Sequence, residues 1–123
     1  MVNSRAKGKR GELEVAALIN GLFQGANARR GQQFKGTDDS PDVVTDLPGL
    51  AIEAKIRKAW SLYDWMHKLD DERALGDVGV IFARKDREKW LCVCWAEDLP
   101  QLVRNLKHHV GASDGPGTVE EGG

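Results

Sequence analysis

The chain predicts an α/β fold: a central mixed β-sheet of about five strands flanked by helices, in the order α-β-β-β-α-β-β-α. Apolar residues recur at helical spacing in three places, near residues 15, 65 and 102. Between these stretches lie short β-branched or alternating runs bounded by turn residues. A length of 123 residues suits one core in one domain. Residues 1–110 are expected to form that domain, and 111–123, rich in Gly and acid, a flexible tail.

Gly11 to Phe23 predicts the first helix, because Val15, Leu18, Ile19 and Leu22 keep i, i+3, i+4, i+7 spacing. Arg5, Lys7, Lys9 and Arg10 are expected to precede it. Glu12 falls at the edge of the apolar stripe, where an acid is costly without a cation or hydrogen-bond partner. Glu14, about 200° around the wheel from it, is expected in solvent. Glu12 therefore reads as a site residue, although a first-turn Glu also suits the helix dipole.

Arg29 and Arg30 fall on a strand leading toward the next segment. Asp42-Val43-Val44-Thr45 reads as a strand and Leu50 to Ile56 as its partner, joined by the turn Leu47-Pro48-Gly49-Leu50. If Leu47 faces Leu50, Lys55 lies opposite Asp42, and Glu53 opposite Val44. Side chains alternate, so Ala51, Glu53 and Lys55 share the face of Asp42 while Ile52, Ala54 and Ile56 take the other. The apolar face is expected on a core and the charged face on a cleft.

Ser61 with Asp64 resembles a capping box and predicts a helix to about Leu75, with Leu62, Trp65, Met66 and Leu69 as its apolar face. Val78 to Ala83 reads as a buried strand and Trp90 to Trp95 as the next. Leu99 to Val110 reads as a last helix, ending in His108-His109, where His favours the dipole. Cys92 and Cys94 project to one side of their strand and are expected to be buried, reduced thiols, since no second Cys pair accompanies them. Tyr63 and Trp60 read as packing residues, with a dimer contact or DNA stacking as alternatives.

Two carboxylates and one ammonium on a single face suit a divalent cation beside a phosphate. Mg²⁺ prefers oxygen ligands and keeps several waters, so one or two carboxylates and the substrate phosphate suffice. Lys55 can stabilise developing charge or orient the attacking water. A surface hairpin carrying Asp, Glu and Lys is the plain alternative.

Lys7-Gly8-Lys9-Arg10-Gly11-Glu12, then Pro41-Asp42, then Glu53-Ala54-Lys55, resembles the PD-(D/E)xK nuclease superfamily. Within it, order and spacing are most similar to the archaeal-type Holliday junction resolvases and their phage-encoded relatives. The resemblance spans roughly the first 60 residues. It implies a restriction-endonuclease-like core and a homodimer that nicks opposing strands of four-way DNA junctions, using Mg²⁺ or Mn²⁺. It makes Glu12, Asp42 and Glu53 metal-site acids, Lys55 the catalytic lysine and the Ala54 carbonyl a further ligand. Ser40 stands where the resemblance places a functional serine, but it abuts Pro41 instead of lying earlier in the loop.

Net charge is −1, unevenly placed: residues 1–36 hold seven Lys or Arg against two acids, and the remainder eleven against seventeen. Lys7, Lys9, Arg10, Arg29, Arg30 and Lys35 are the candidate phosphate contacts. Gln33, like Gln32, could bond phosphate or a metal-bound water, or be part of a solvated connector. No signal peptide or membrane-spanning run is read, so a cytoplasmic protein with no membrane partner is expected. Two other readings stay open: a different PD-(D/E)xK DNA endonuclease, and a catalytically silent DNA-binding module.

Overall fold

The computed structural model describes residues 4–31 and 42–111. Gln33, Lys35 and Ser40, and the expected tail from residue 112 on, lie outside the described residues. Helix α1 (Ser4–Leu22) is followed by β1 (Arg29–Arg30), β2 (Val43–Val44) and β3 (Leu50–Ile56). Helix α2 (Leu62–Glu72) leads to β4 (Val78–Arg84), β5 (Leu91–Val93), a 3₁₀ turn (Ala96–Asp98) and α3 (Leu99–Leu106). The five strands form one sheet with the spatial order β1-β2-β3-β4-β5. Strands β3 and β4 run parallel, with α2 as the crossover, and the other neighbours are antiparallel. The protein is thus α/β, with a mixed five-stranded sheet flanked by three helices.

The alternation along β3 divides the core. Ile52 and Ala54 pack with Val15, Ala16 and Ile19 of α1. Ala51, on the other face, packs with Met66 and Leu69 of α2 and with Ile81 and Ala83 of β4. Strand β4 is buried along its whole length, as a central strand covered on both faces should be. Burying each large aliphatic side chain contributes roughly 1.5–3 kcal/mol.

Two glycines let the helices come close. A Cβ at Gly11 would sit 3.3 Å from two side-chain carbons of Ile56, and one at Gly79 would sit 3.0 Å from Leu69. Gly11 therefore sets how near α1 lies to the end of β3, one residue before Glu12.

Several expectations are corrected here. Helix α1 starts at Ser4, so Lys7, Lys9 and Arg10 ride on the helix instead of preceding it; Ala, Lys and Arg are good helix formers, and Gly8 is tolerated. Ser61 precedes α2, but its side chain makes no cap hydrogen bond; at ψ 65° it leaves the extended geometry that capping needs. Helix α3 stops at Leu106 because the following backbone is used elsewhere. The Gln24 N–H donates to the His109 carbonyl at 2.9 Å, and Phe23 pairs with Val110.

The thiols also differ from expectation. Cys92 lies on an edge strand and is exposed as a residue, yet burial pushes its thiol up to about 11. The two facts agree if Sγ turns inward, toward the apolar hollow that Cys92 lines with Phe82, Leu102 and Leu106. Cys94 is half-buried.

Candidate active site

The β2–β3 hairpin positions the acids. Val43 pairs with Ile52, which places the register two residues away from the one expected. The reason lies in the turn. After Val44 the chain leaves the ladder, because the Thr45 hydroxyl and the Asp46 N–H both donate to the Ala26 carbonyl, at 2.6 and 2.7 Å. Gly49 then closes the connection at φ +66°, a conformation in which a Cβ would meet Asn105 at 2.5 Å. A shift of two keeps every side chain on its face and changes only its neighbours. Continued one step, the register sets Asp42 directly opposite Glu53 instead of diagonal to it.

Asp42 is anchored by the backbone of the opposite strand: the Ala54 N–H donates to its Oδ2 at 3.1 Å. Glu53 lies beneath α2 rather than on an open surface. Its carboxyl is pushed up to about 7, first by burial and then by the charge of Asp42. Glu72 adds repulsion, while Lys55 and the Asp42 backbone amide act in the opposite sense. Between β3 and α2, Ala51, Glu53, Leu69, Glu72, Arg73 and Asp77 line a hollow of about 350 Å³; of Asp42, Glu53 and Lys55, Glu53 alone lines it. Lys55, two residues along the same face, holds its Nζ 5.7 Å from the Trp65 ring centroid.

Glu12 occupies a different setting. The Arg30 Nε donates to its Oε1 at 2.6 Å, and its side chain is 13% exposed. That pair supplies the partner which a rim acid on α1 requires. Among the described residues, no three His, Cys, Asp or Glu side chains gather into a set able to hold a metal. The structure thus brings Asp42, Glu53 and Lys55 together and gives Glu12 to Arg30.

The basic candidates are partly engaged. Lys7 pairs with Asp86 at 3.5 Å, and Arg10 reaches both Asp86 and Glu14 at 3.6 and 3.7 Å. Arg29 pairs with Asp46 at 3.5 Å while its side chain stays 59% exposed. Lys9 is exposed on α1.

Glu14, expected in solvent, is instead the centre of a bonded cluster. Arg84, the one buried charged residue among those described, donates to both its carboxylate oxygens at 2.9 to 3.1 Å, and the Trp90 Nε1 adds a third donor at 3.2 Å. Arg84 also stacks over Trp90 at 5.1 Å. Helical spacing put Glu14 off the apolar stripe, but an arginine at the end of a buried strand needs an anion, and Glu14 is within its reach.

Two site residues escaped the sequence reading. Glu72 lies at the rim of the α2 apolar stripe, as Glu12 does on α1, and Trp65, read as part of the apolar face, forms the edge of that stripe beside it. The rim argument, applied to the second helix, would have found Glu72. No family model, no curated protein and no solved structure matches this chain.

Proposed function

We propose that this chain is a metal-dependent endodeoxyribonuclease of the PD-(D/E)xK kind, with a restriction-endonuclease-like core, which resolves four-way DNA junctions by paired nicking as a homodimer. One observation carries the reading. Asp42 and Glu53 are set side by side on a hairpin, short of positive charge, with Lys55 on the same face.

The donor set fits a hard divalent cation, Mg²⁺ or Mn²⁺. The two carboxylates and the Ala54 carbonyl offer oxygen ligands only, and the raised Glu53 carboxyl marks a site where a cation would relieve repulsion. When bound, the ion would polarise a phosphoryl oxygen and lower the pKa of a coordinated water. Asp42 and Glu53 would hold it. Lys55 would stand where negative charge grows on the phosphoryl group as water attacks phosphorus and the ester oxygen leaves. Lys9, with Arg29 and Arg30 where their exposed faces allow, would contact flanking phosphates. Glu12 would keep Arg30 in place, and would join the acids only if DNA drew Arg30 away.

Cleavage of a labelled, immobile four-way junction, against a matched linear duplex, with Mg²⁺ and with EDTA, tests this. Symmetric, Mg²⁺-dependent nicking of the junction alone is expected. Equal cutting of both substrates would leave a nuclease that is not a resolvase. Tight binding without cutting would favour a silent DNA-binding module.

A further inference from the structure

We infer that Trp65, itself braced by Trp60, is the positioning residue of Lys55. The catalytic consequence rests on the nuclease reading; the contact does not. Lys55 shares a face with Glu53, whose carboxylate feels its charge, and a flexible four-carbon stem could carry its ammonium onto that acid. An ion pair of that kind would neutralise the charge the chemistry needs. Among the described residues Lys55 forms no ion pair within 4.0 Å. Its Nζ instead lies 5.7 Å from the Trp65 ring centroid.

An indole face is the strongest of the aromatic side chains at attracting a cation, and it carries no charge. It therefore fixes the ammonium in place and leaves the positive charge intact. The ring is fixed in its turn. Trp65 packs partly buried against the α2-side core and meets Trp60 at 6.2 Å, tilted by 49°. The Trp60 Nε1 donates to the Arg57 carbonyl at 2.9 Å, and the Arg57 N–H donates to Arg84 at 3.1 Å. A continuous brace thus runs from the end of β4 to the lysine ammonium. A reacting group misplaced by about 1 Å can lose a hundredfold in rate, so such a brace has something to protect.

The test compares full-length wild type with Trp65→Leu, Trp65→Phe and Trp60→Phe. Three quantities are read: the single-turnover cleavage rate of the junction, junction affinity by anisotropy, and the NMR shifts of the Lys55 ε-methylene protons. Ring current should shift those protons upfield in wild type and in Trp65→Phe, and the shift should vanish in Trp65→Leu. Trp65→Leu should lose about tenfold in rate, from the energy of one cation–π contact, with affinity unchanged, while Trp65→Phe keeps most of the rate. Trp60→Phe, which removes the indole N–H and one ring of its packing surface but keeps an aromatic ring beside Trp65, should fall between them, and it carries the comparison if Trp65→Leu does not fold. Equal rates in the Leu and Phe variants, or no upfield shift in wild type, would overturn the assignment. If wild type cleaves nothing, the nuclease reading fails, and the ε-proton shifts alone decide whether Trp65 holds Lys55.

Discussion

Glu14 and Glu53 are both half-buried glutamates, and the fold treats them in opposite ways. Glu14 receives three donor groups, from Arg84 and Trp90, and closes its charge within the protein. Glu53 is placed against Asp42 with Glu72 near, and its carboxyl rises to about 7. The first arrangement joins α1 to the end of β4. The second costs folding energy, and in the proposed function a cation would offset that cost. Buried charge that is fully partnered points to architecture; buried charge left in deficit points to a ligand.

Substitutions in the two regions should therefore separate by readout. The largest effect belongs to the deficient site: Asp42→Asn or Glu53→Gln should cut junction cleavage at least a thousandfold, about 4 kcal/mol of barrier, with DNA binding kept or improved. Near-normal cleavage by either variant would remove the acid from the metal site. Arg84→Ala comes next and touches stability alone. Stranding Glu14 should cost about 2–3 kcal/mol in urea unfolding, less than a fully buried pair because Glu14 is 37% exposed. A loss under 0.5 kcal/mol would show that the cluster is not structural.

Glu53→Gln should also stabilise the metal-free protein, with a definite pH signature. The folded carboxyl holds its proton to about 7, against the ordinary 4.5. The contribution of Glu53 to wild-type stability is thus fully present below pH 4.5 and is lost as pH rises to 7, because the unfolded chain ionises first. The variant's advantage should grow across that window and level near 2 kcal/mol above it, discounted from the ~3 kcal/mol of the full shift for residual solvent. Mg²⁺ should raise the wild-type melting temperature at pH 8 and leave that of Glu53→Gln unmoved. A flat difference from pH 4 to 8 would contradict the burial of Glu53.

Arg29→Ala with Arg30→Ala should weaken junction binding and flatten its salt dependence by one to two ions, at about 0.9 per phosphate contact. An unaltered slope would take these arginines off the DNA surface. The smallest effect is expected at Ser61→Ala, under about 0.5 kcal/mol by thermal melting, because the side chain caps nothing. A loss near 1 kcal/mol would restore the cap that the sequence suggested.

The α/β class, the five strands and the shared face of Asp42, Glu53 and Lys55 were legible because they follow from periods of 3.6 and 2, which local sequence carries. The span Leu50–Ile56 was readable to the residue, since a turn and an alternating run bound it. What escaped reading depends on distant partners. The hairpin register turned on Ala26, which takes Thr45 and Asp46 out of the ladder. The fate of Glu14 turned on Arg84, seventy residues away. The end of α3 turned on Gln24. Periodicity says which way a side chain points, but not what waits there.

The two pairings of β3 have a consequence for the order of assembly. Its partner on one side, β2, is close in sequence, with Asp42 and Glu53 eleven residues apart; its partner on the other side, β4, stays twenty-eight residues away from Leu50–Val78 to Ile56–Arg84. Loop closure favours the short connection, so the hairpin should form first and the parallel pairing should wait for α2. The two acids would then meet in a nascent hairpin still open to water, where repulsion is weak. Only the later docking of α2 would raise the cost of their charge. In pulsed hydrogen exchange during refolding, the Ala54 amide should be protected before that of Val80, and divalent cations should speed the second phase rather than the first.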